Sequence, residues 1–350
     1  MDKWSNLFPA PPSRLTVVGM AKNAGKTLTQ NYLRTLVQAD GYAIGLLSIG
    51  LDGEKRDALT RLPKPAVWVK PGTLVATAAT LIERPFSWDC LRKTEISTPV
   101  GRIHILRARN EEQIVLAGPS KNSEVARVMK EMVGYGAQCV LIDGAFDRQS
   151  SADPLISDQV VLTSGASLTS DLAALVFSTR CRVEQLSLPR CSGDHAEMAR
   201  QCMGNVSRCR GDKLETLNYS TALLDCMEWL RVLKDSEVLL VKGAVGEDLG
   251  KALLQTDRRP TVILQDSSKI FLSPELWQRL RQRKIQFAVE RPINLLGVTV
   301  NPTCPGGVGL DADQLLASMG RALYPLPVLD VARKLKYVQK KRDGMEVSGS

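Results

Sequence analysis

The sequence has no apolar run that approaches the length needed to cross a bilayer. Its first residues also lack the order of basic, apolar and small residues that marks an export signal. Hydrophobic residues make up 44% of the 350-residue chain, a share typical of globular proteins. We therefore expect a soluble cytoplasmic protein with room for two domains, or for one large α/β domain with insertions.

Cysteine pairs at metal-binding spacing are also missing, although the chain has eight cysteines. No Cys-x2-Cys pair occurs, and wide loops hold a metal less favourably than tight knuckles. Without an export signal, the pattern favours cytosolic thiols over a disulfide framework. In the cluster between residues 179 and 235 we expect buried free thiols, because cysteine packs as a small hydrophobic residue. The cluster contains Cys181, Cys191, Cys202, Cys209, Cys226 and His195.

Basic residues exceed acidic ones, and the formal net charge of +9 would suit a nucleic acid or an acidic protein as partner. Aromatic residues that could stack on bases are scarce in the basic C-terminal stretch, where only Tyr337 occurs. Charge runs of this kind are usually solvated. We therefore expect a solvated basic tail and no nucleic-acid partner. The basic residues concerned are Arg333, Lys334, Lys336, Lys340, Lys341 and Arg342.

An apolar run at residues 15–18, a glycine-containing turn and a helical pattern follow one another near the N-terminus. The turn ends in Gly25-Lys26-Thr27, and this strand–turn–helix order is typical of a phosphate-binding loop. Triphosphate oxygens need several backbone N–H donors, which Gly25 lets approach, and a cation, which Lys26 supplies. The Thr27 hydroxyl is suited to hold Mg²⁺. The residues predicted to contact the nucleotide in this loop are Gly19, Lys22, Asn23, Ala24, Gly25, Lys26, Thr27 and Leu28.

The spacing of this loop departs from the common pattern. Gly19 and Gly25 enclose five residues where four are usual, and Met20 holds the usual position of the first glycine. A purely structural turn is the alternative interpretation. The intact Gly-Lys-Thr and its strand–turn–helix context favour the nucleotide site.

Two aspartates follow apolar, strand-like runs and are candidates for catalysis and metal binding. Ligands of open α/β sheets bind at the carboxyl ends of the strands. Asp143 is therefore predicted to hold Mg²⁺ together with Thr27. Asp52 is predicted to orient the attacking water, while Lys26 stabilises charge on the transferring phosphoryl group. The alternative for Asp52 is an ordinary turn aspartate before a glycine.

Strand and helix patterns alternate along most of the chain, which predicts an α/β fold with a parallel sheet covered by helices. We predict a P-loop NTPase fold with a second α/β half. In a less regular stretch, residues 72–81 favour a helix and residues 100–106 a strand. The predicted divisions are a P-loop NTPase domain at 1–178, a Cys-rich connecting segment at 179–235, a second α/β domain at 236–335 and a basic polar tail at 336–350.

The Gly-x5-Gly-Lys-Thr loop and residues 140–144 resemble dethiobiotin synthetase and related P-loop proteins, in which this spacing is normal. Those relatives often carry Glu at the position of Asp143. The resemblance implies that a polar side chain after a late strand reads the base of the nucleotide, which makes Asn301 and Thr303 candidates. A structural turn is an equal alternative, because Asn-Pro is a strong turn former.

Four stretches together resemble, more closely, the P-loop subunit of the lysine 5,6-aminomutase reactivases of amino-acid-fermenting bacteria. This resemblance implies an ATP-driven chaperone that works with a second reactivase subunit. It would expel damaged cobalamin from lysine 5,6-aminomutase, so that fresh adenosylcobalamin binds, with ATP and Mg²⁺ as its cofactors. The stretches are residues 22–27, 143–148, 266–271 and 293–302.

The residues leave more than one function open. A nucleotide switch, as in the reactivase, predicts slow hydrolysis that a protein partner stimulates. A metabolic ligase, as dethiobiotin synthetase is, predicts ATP-driven activation of a small carboxylate and turnover only when that small molecule is present. A third interpretation is a subunit that binds the nucleotide without hydrolysing it.

Overall fold

A computed structural model describes residues 3–8, 11–52, 67–143, 152–211 and 213–337. The strands in these ranges are β1 (Arg14–Gly19), β2 (Ile44–Ser48), β3 (Leu51–Asp52), β4 (Val67–Val69), β5 (Leu74–Ala78), β6 (Trp88–Thr98), β7 (Gly101–Ala108), β8 (Glu112–Ile114), β9 (Leu116–Ala117), β10 (Cys139–Asp143), β11 (Gln159–Gly165), β12 (Val206–Arg210), β13 (Lys213–Leu217), β14 (Val238–Val241), β15 (Thr261–Leu264), β16 (Phe287–Val289), β17 (Leu295–Asn301), β18 (Val328–Asp330) and β19 (Leu335–Lys336).

The helices alternate with these strands over much of the chain, as the pattern predicts. Short 3-10 turns lie at Ala79–Leu81, Pro85–Ser87 and Ser267–Lys269. The α-helices are α1 (Trp4–Leu7), α2 (Lys26–Ala39), α3 (Asn122–Gly134), α4 (Leu172–Leu186), α5 (Asp194–Gln201), α6 (Cys226–Leu233), α7 (Glu247–Gln255), α8 (Pro274–Gln282) and α9 (Ala312–Leu323). Within the described ranges, no helix combines the length and the apolar composition that a membrane span requires.

The larger sheet has the strand order β19-β18-β17-β11-β1-β10-β2-β5-β7-β6. The strands from β18 to β5 run parallel, whereas β19, β7 and β6 pair antiparallel at the two ends. Strands β2, β10 and β11 are buried along their whole length. Such strands read as continuous apolar runs because helices cover both faces of a parallel sheet. The predicted α/β class with a mostly parallel sheet is confirmed.

The smaller sheet has the order β13-β12-β14-β15-β16, with β14, β15 and β16 parallel. Its core includes Trp229 of α6 and Trp277 of α8, each 1% exposed. The strands do not divide between the two sheets at residue 236, where the sequence predicts that a second domain begins. The smaller sheet begins at β12, inside the segment predicted as a connection, and β17 to β19 return to the larger sheet. Buried parallel strands have similar compositions, so local patterns do not reveal which sheet a strand joins.

The helix predicted at residues 72–81 is wrong. Leu74–Ala78 forms β5, which is fully buried between β2 and β7, and only a single 3-10 turn follows it. Pairing on both sides satisfies the backbone groups of these small residues and overrides their local preference. The strand predicted at residues 100–106 is present as β7, and its partner β6 has no counterpart among the predicted elements.

The cysteines of the 179–235 segment are free thiols; Cys181, Cys191, Cys202 and Cys209 are buried as predicted, whereas Cys226 is only half-buried. The predicted tail starts one residue too early, since Lys336 pairs in β19. The basic run is also partly structural. The Nε of Arg333 donates to the buried Asp330 over 2.6 Å, and its Nη1 donates to Asp313 over 2.6 Å. Residues 338–350 lie outside the described part of the chain.

Candidate functional site

The predicted order of strand, turn and helix is present around residues 19–27, which we call the 19–27 loop. Strand β1 ends at Gly19 and helix α2 begins at Lys26. Gly25 precedes the helix with φ +101°, a left-handed conformation that glycine adopts readily and other residues rarely. The helix has no side-chain cap among the described residues, so the N–H groups of its first turn suit an anion at this end.

The side chain of Lys26 runs back over the end of β1. Its Cγ and Cδ lie 3.0 and 3.1 Å from the point where a Cβ on Gly19 would stand. Thr163 Oγ1 lies 3.2 Å from the same point, so a side chain at position 19 would compete with the lysine for this space. The loop therefore keeps the lysine stem close to the carboxyl end of β1.

Asp143 ends β10, the strand that pairs with β1. In the parallel register Asp143 stands opposite Val17 on one side and Ser48 on the other. Its side chain is 6% exposed, and the N–H of Ile49 donates to its backbone carbonyl over 2.9 Å. The structure thus brings Asp143 to the same sheet edge as the 19–27 loop. The residues that follow it, 144–151, lie outside the described part of the chain, together with most of the 143–148 motif.

Asp52 lies in the short strand β3, which pairs with β9 so that Asp52 stands opposite Leu116. This ribbon continues from the carboxyl end of β2. Gly50 N–H donates to the carbonyl of Pro119, and Gly118 N–H donates to the carbonyl of Gly50, each over 2.9 Å. The backbone of Asp52 is therefore anchored beside the edge that carries Asp143. Its catalytic role stays a prediction.

Asn301 ends β17 and reaches the 19–27 loop from the far end of the chain. Its Nδ2 donates to the backbone carbonyl of Asn23 over 3.2 Å. Its Oδ1 accepts from the backbone N–H and the hydroxyl of Thr303, over 3.2 and 2.8 Å. Asn301 and Thr303, the two candidates for base recognition, are thus hydrogen-bonded to each other, and Asn301 also contacts the 19–27 loop.

Three threonines make contacts around the loop that no sequence pattern indicated. Thr163 in β11 accepts a hydrogen bond at its backbone carbonyl from Met20 N–H over 2.9 Å. The hydroxyls of Thr29 and Thr299 share a buried hydrogen bond of 2.8 Å, which ties the first turns of α2 to β17. Each contact joins residues more than 130 positions apart, so no local pattern could have indicated it.

The amino end of β1 is anchored by an ion pair between Arg14 and Asp158. Arg14 Nε donates to Asp158 Oδ2 over 2.8 Å, and the Ser13 hydroxyl donates to the same oxygen over 2.6 Å. The hydrogen bond from Arg14 is the main reason why the pKa of Asp158 lies below its ordinary value. The pair joins the start of β1 to the residue before β11 and so fixes the register of the loop's strand.

The predicted Mg²⁺ ligands are Asp143 and the hydroxyl of Thr27. In the residues that the structure describes, no group of three or more His, Cys, Asp or Glu side chains is arranged to hold a metal. Protein Mg²⁺ sites commonly use one or two carboxylates and complete the shell with substrate phosphates and water. The role of Asp143 and Thr27 as Mg²⁺ ligands stays a prediction.

Comparisons of the chain with protein-family models, with curated proteins and with solved structures find no match. The interpretation of the site therefore rests on its geometry and its sequence motifs. Its elements are the glycine-lined 19–27 loop at the start of α2, the lysine stem over Gly19, and Asp143 at the end of the neighbouring strand.

Proposed function

We propose that this chain is a P-loop nucleoside triphosphatase that binds ATP with Mg²⁺ at the 19–27 loop. The observation that carries the proposal is the packing of the Lys26 stem against Gly19 at the carboxyl end of β1, one strand from Asp143. Parallel sheets bind ligands at this edge, and helix N-termini attract phosphate. A cation, an N-terminal helix turn and a carboxylate are the groups that a triphosphate with Mg²⁺ needs, and their residues at this edge support the proposal.

Each residue has a definite part in this proposal. The N–H groups of the loop bind phosphate oxygens, and Lys26 offsets charge on the β and γ phosphates. Thr27 and Asp143 would hold Mg²⁺, which neutralises phosphate charge when it is bound. Asp52 would orient the attacking water. Gly25 keeps its left-handed conformation, and a Cβ there would lie 3.3 Å from the Cβ of Asn301, so the missing side chain makes room for the end of β17.

We propose further that hydrolysis drives a cytoplasmic reactivating chaperone, which works with a second subunit on lysine 5,6-aminomutase. The motif resemblance supports this proposal, and a short series of contacts connects the smaller sheet to the start of α3. Arg291, just after β16 of the smaller sheet, lies 3.5 Å from Asp266 and 4.0 Å from Asp153. Asp153 in turn accepts from Asn122 Nδ2 over 3.2 Å. The proposed switch would use these contacts as its path between the start of α3 and the smaller sheet.

Binding and phosphate release test the proposal. The variant Lys26→Ala loses a charge-assisted contact, so its affinity for Mg²⁺·ATP should fall about 10- to 100-fold in calorimetry. The matched control Lys130→Ala removes an equal charge from the exposed face of α3 and should bind ATP as the wild type does. Equal ATP affinity in both variants would exclude the nucleotide site.

Phosphate release then separates the chaperone from the ligase. Stimulation of wild-type ATP hydrolysis by damaged lysine 5,6-aminomutase supports the chaperone. Turnover that needs a small carboxylate, and that ignores the aminomutase, supports a dethiobiotin synthetase-like ligase instead. Tight binding without phosphate release under either condition would leave a nucleotide-binding subunit that does not hydrolyse ATP.

A further inference from the structure

The amide of Asn301 has a defined orientation. A backbone N–H can only donate, so the amide atom that accepts from Thr303 N–H is oxygen. The opposite atom is then the NH2 group, and it donates to the carbonyl of Asn23 over 3.2 Å. The amide therefore has protein partners on both sides.

The strand that carries this amide is held firmly in the sheet. Asn301 stands opposite Gly165 in β11, and its carbonyl accepts from Ala166 N–H over 2.9 Å. Two residues earlier, Thr299 is 2% exposed and shares its hydroxyl hydrogen bond with Thr29 of α2. The end of β17 is thus a fixed point against which the 19–27 loop is placed.

The group that Asn301 holds is an unusual part of the 19–27 loop. Asn23 has φ +61°, a left-handed conformation that residues with side chains adopt rarely. Because the peptide is planar and trans, fixing the Asn23 carbonyl toward β17 turns the N–H of Ala24 the other way. That N–H lies 3.3 Å from the carbonyl of Ala21, across the loop.

We propose that Asn301 is a positioning residue that keeps the 19–27 loop in its binding conformation, and that it does not read the base. This inference rests on the proposed nucleotide function. Asn301 acts through the Asn23 peptide, so its contribution is the same for every ligand that carries a triphosphate. A residue that reads the base would contribute only to ligands that carry the right base.

The two roles separate when a ligand without a base is included. We would measure the affinities of Mg²⁺·ATP, Mg²⁺·GTP and Mg²⁺·tripolyphosphate for the wild type, Asn301→Ala and the control Asn110→Ala. Loss of one hydrogen bond to the loop should weaken all three ligands by the same factor in Asn301→Ala, about fivefold. Asn110 is an exposed residue just after β7, so Asn110→Ala keeps the contact to Asn23 and should change the three affinities less than about twofold. A loss confined to ATP, with tripolyphosphate unaffected, overturns the proposal.

A second measurement needs no nucleotide. Hydrogen exchange of the ligand-free chain should be faster by about fivefold at residues 21–25 in Asn301→Ala, and unchanged there in Asn110→Ala. Unchanged exchange in Asn301→Ala contradicts the positioning role. If the wild type binds none of the three ligands but the variant still exchanges faster, Asn301 holds the loop and the proposed nucleotide function fails.

Discussion

The Cγ of Lys26 lies 3.0 Å from the point where a Cβ on Gly19 would stand, so the first residue of α2 occupies the space that a side chain on the last residue of β1 would fill. The missing side chain at position 19 makes room for the lysine stem. Position 19 lies six residues before Gly25, and the longer interval still brings the strand end and the helix start together. Variants of Gly19 and Asp143 test whether this arrangement binds Mg²⁺·ATP.

The variant Gly19→Ala should fold and bind nucleotide weakly. Its methyl group meets the lysine stem at 3.0 Å and the buried Thr163 Oγ1 at 3.2 Å, and no backbone atom lies as close, so we expect the free energy of unfolding to fall by about 1 kcal/mol. Displacement of Lys26 should weaken Mg²⁺·ATP about tenfold in calorimetry. In the control Gly134→Ala, the methyl group meets nothing within 4 Å at the last residue of α3, and ATP affinity should be unchanged. Wild-type affinity in Gly19→Ala would show that the position of the lysine stem is unimportant.

The variant Asp143→Asn should lose the effect of Mg²⁺ on nucleotide binding. An amide has nearly the shape of the carboxylate but lacks its charge, so it holds Mg²⁺ poorly. ATP binding in EDTA should match that of the wild type. The factor by which added Mg²⁺ strengthens ATP binding should be at least about tenfold smaller than in the wild type. Asp194→Asn, on α5, is the control. A normal Mg²⁺ response in Asp143→Asn would remove this residue from the metal site.

The ion pair between Asp158 and Arg14 should make stability depend on pH. The pKa of Asp158 in the folded chain lies below its ordinary value, mainly because Arg14 donates to it. Its contribution is therefore present above the unfolded pKa of about 4 and is lost as the pH falls through the folded pKa. The pair is about one-third exposed on each side, so solvent screening limits the effect.

For Asp158→Asn we expect a free energy of unfolding about 1 kcal/mol lower than that of the wild type at about pH 7. Urea unfolding should show the difference shrinking as the pH is lowered below about 4. Asp257→Asn, in an exposed loop, should show no such trend. A difference that stays constant with pH would mean that the ionic interaction is not its source.

The thiols should react in the order of their burial. Burial raises the pKa of Cys139 to about 12 and that of Cys181 to about 11, so few of these side chains are thiolates at neutral pH. Cys90 is exposed. A disulfide reagent should label Cys90 first and the two buried cysteines on the order of a thousandfold more slowly. Cys90→Ser should remove the fast phase, and Cys226→Ser should retain it. A fast phase that survives in Cys90→Ser would contradict this order.

Much of the candidate site was predictable because its signals are local. Glycine before a helix and four apolar residues before Asp143 can be recognised within about ten positions of the chain. In helix α2, Tyr32, Leu33, Leu36 and Val37 recur at helical spacing and are all buried. Leu28, predicted to contact the nucleotide, is 37% exposed near the loop.

Two features depended on contacts across the whole chain. Residues 72–81 look helical by composition, but β5 is a strand because β2 and β7 pair with it on both sides. The return of β17 to the larger sheet puts Asn301 against Asn23, which is 278 positions away in sequence. Periodicity specifies which face of an element is apolar, and it carries no information about which partner covers that face. The residue order thus determined the 19–27 loop and the alternation of strands and helices. The tertiary structure decided which strand supports that loop, because strand pairing is settled by the free energy of distant contacts.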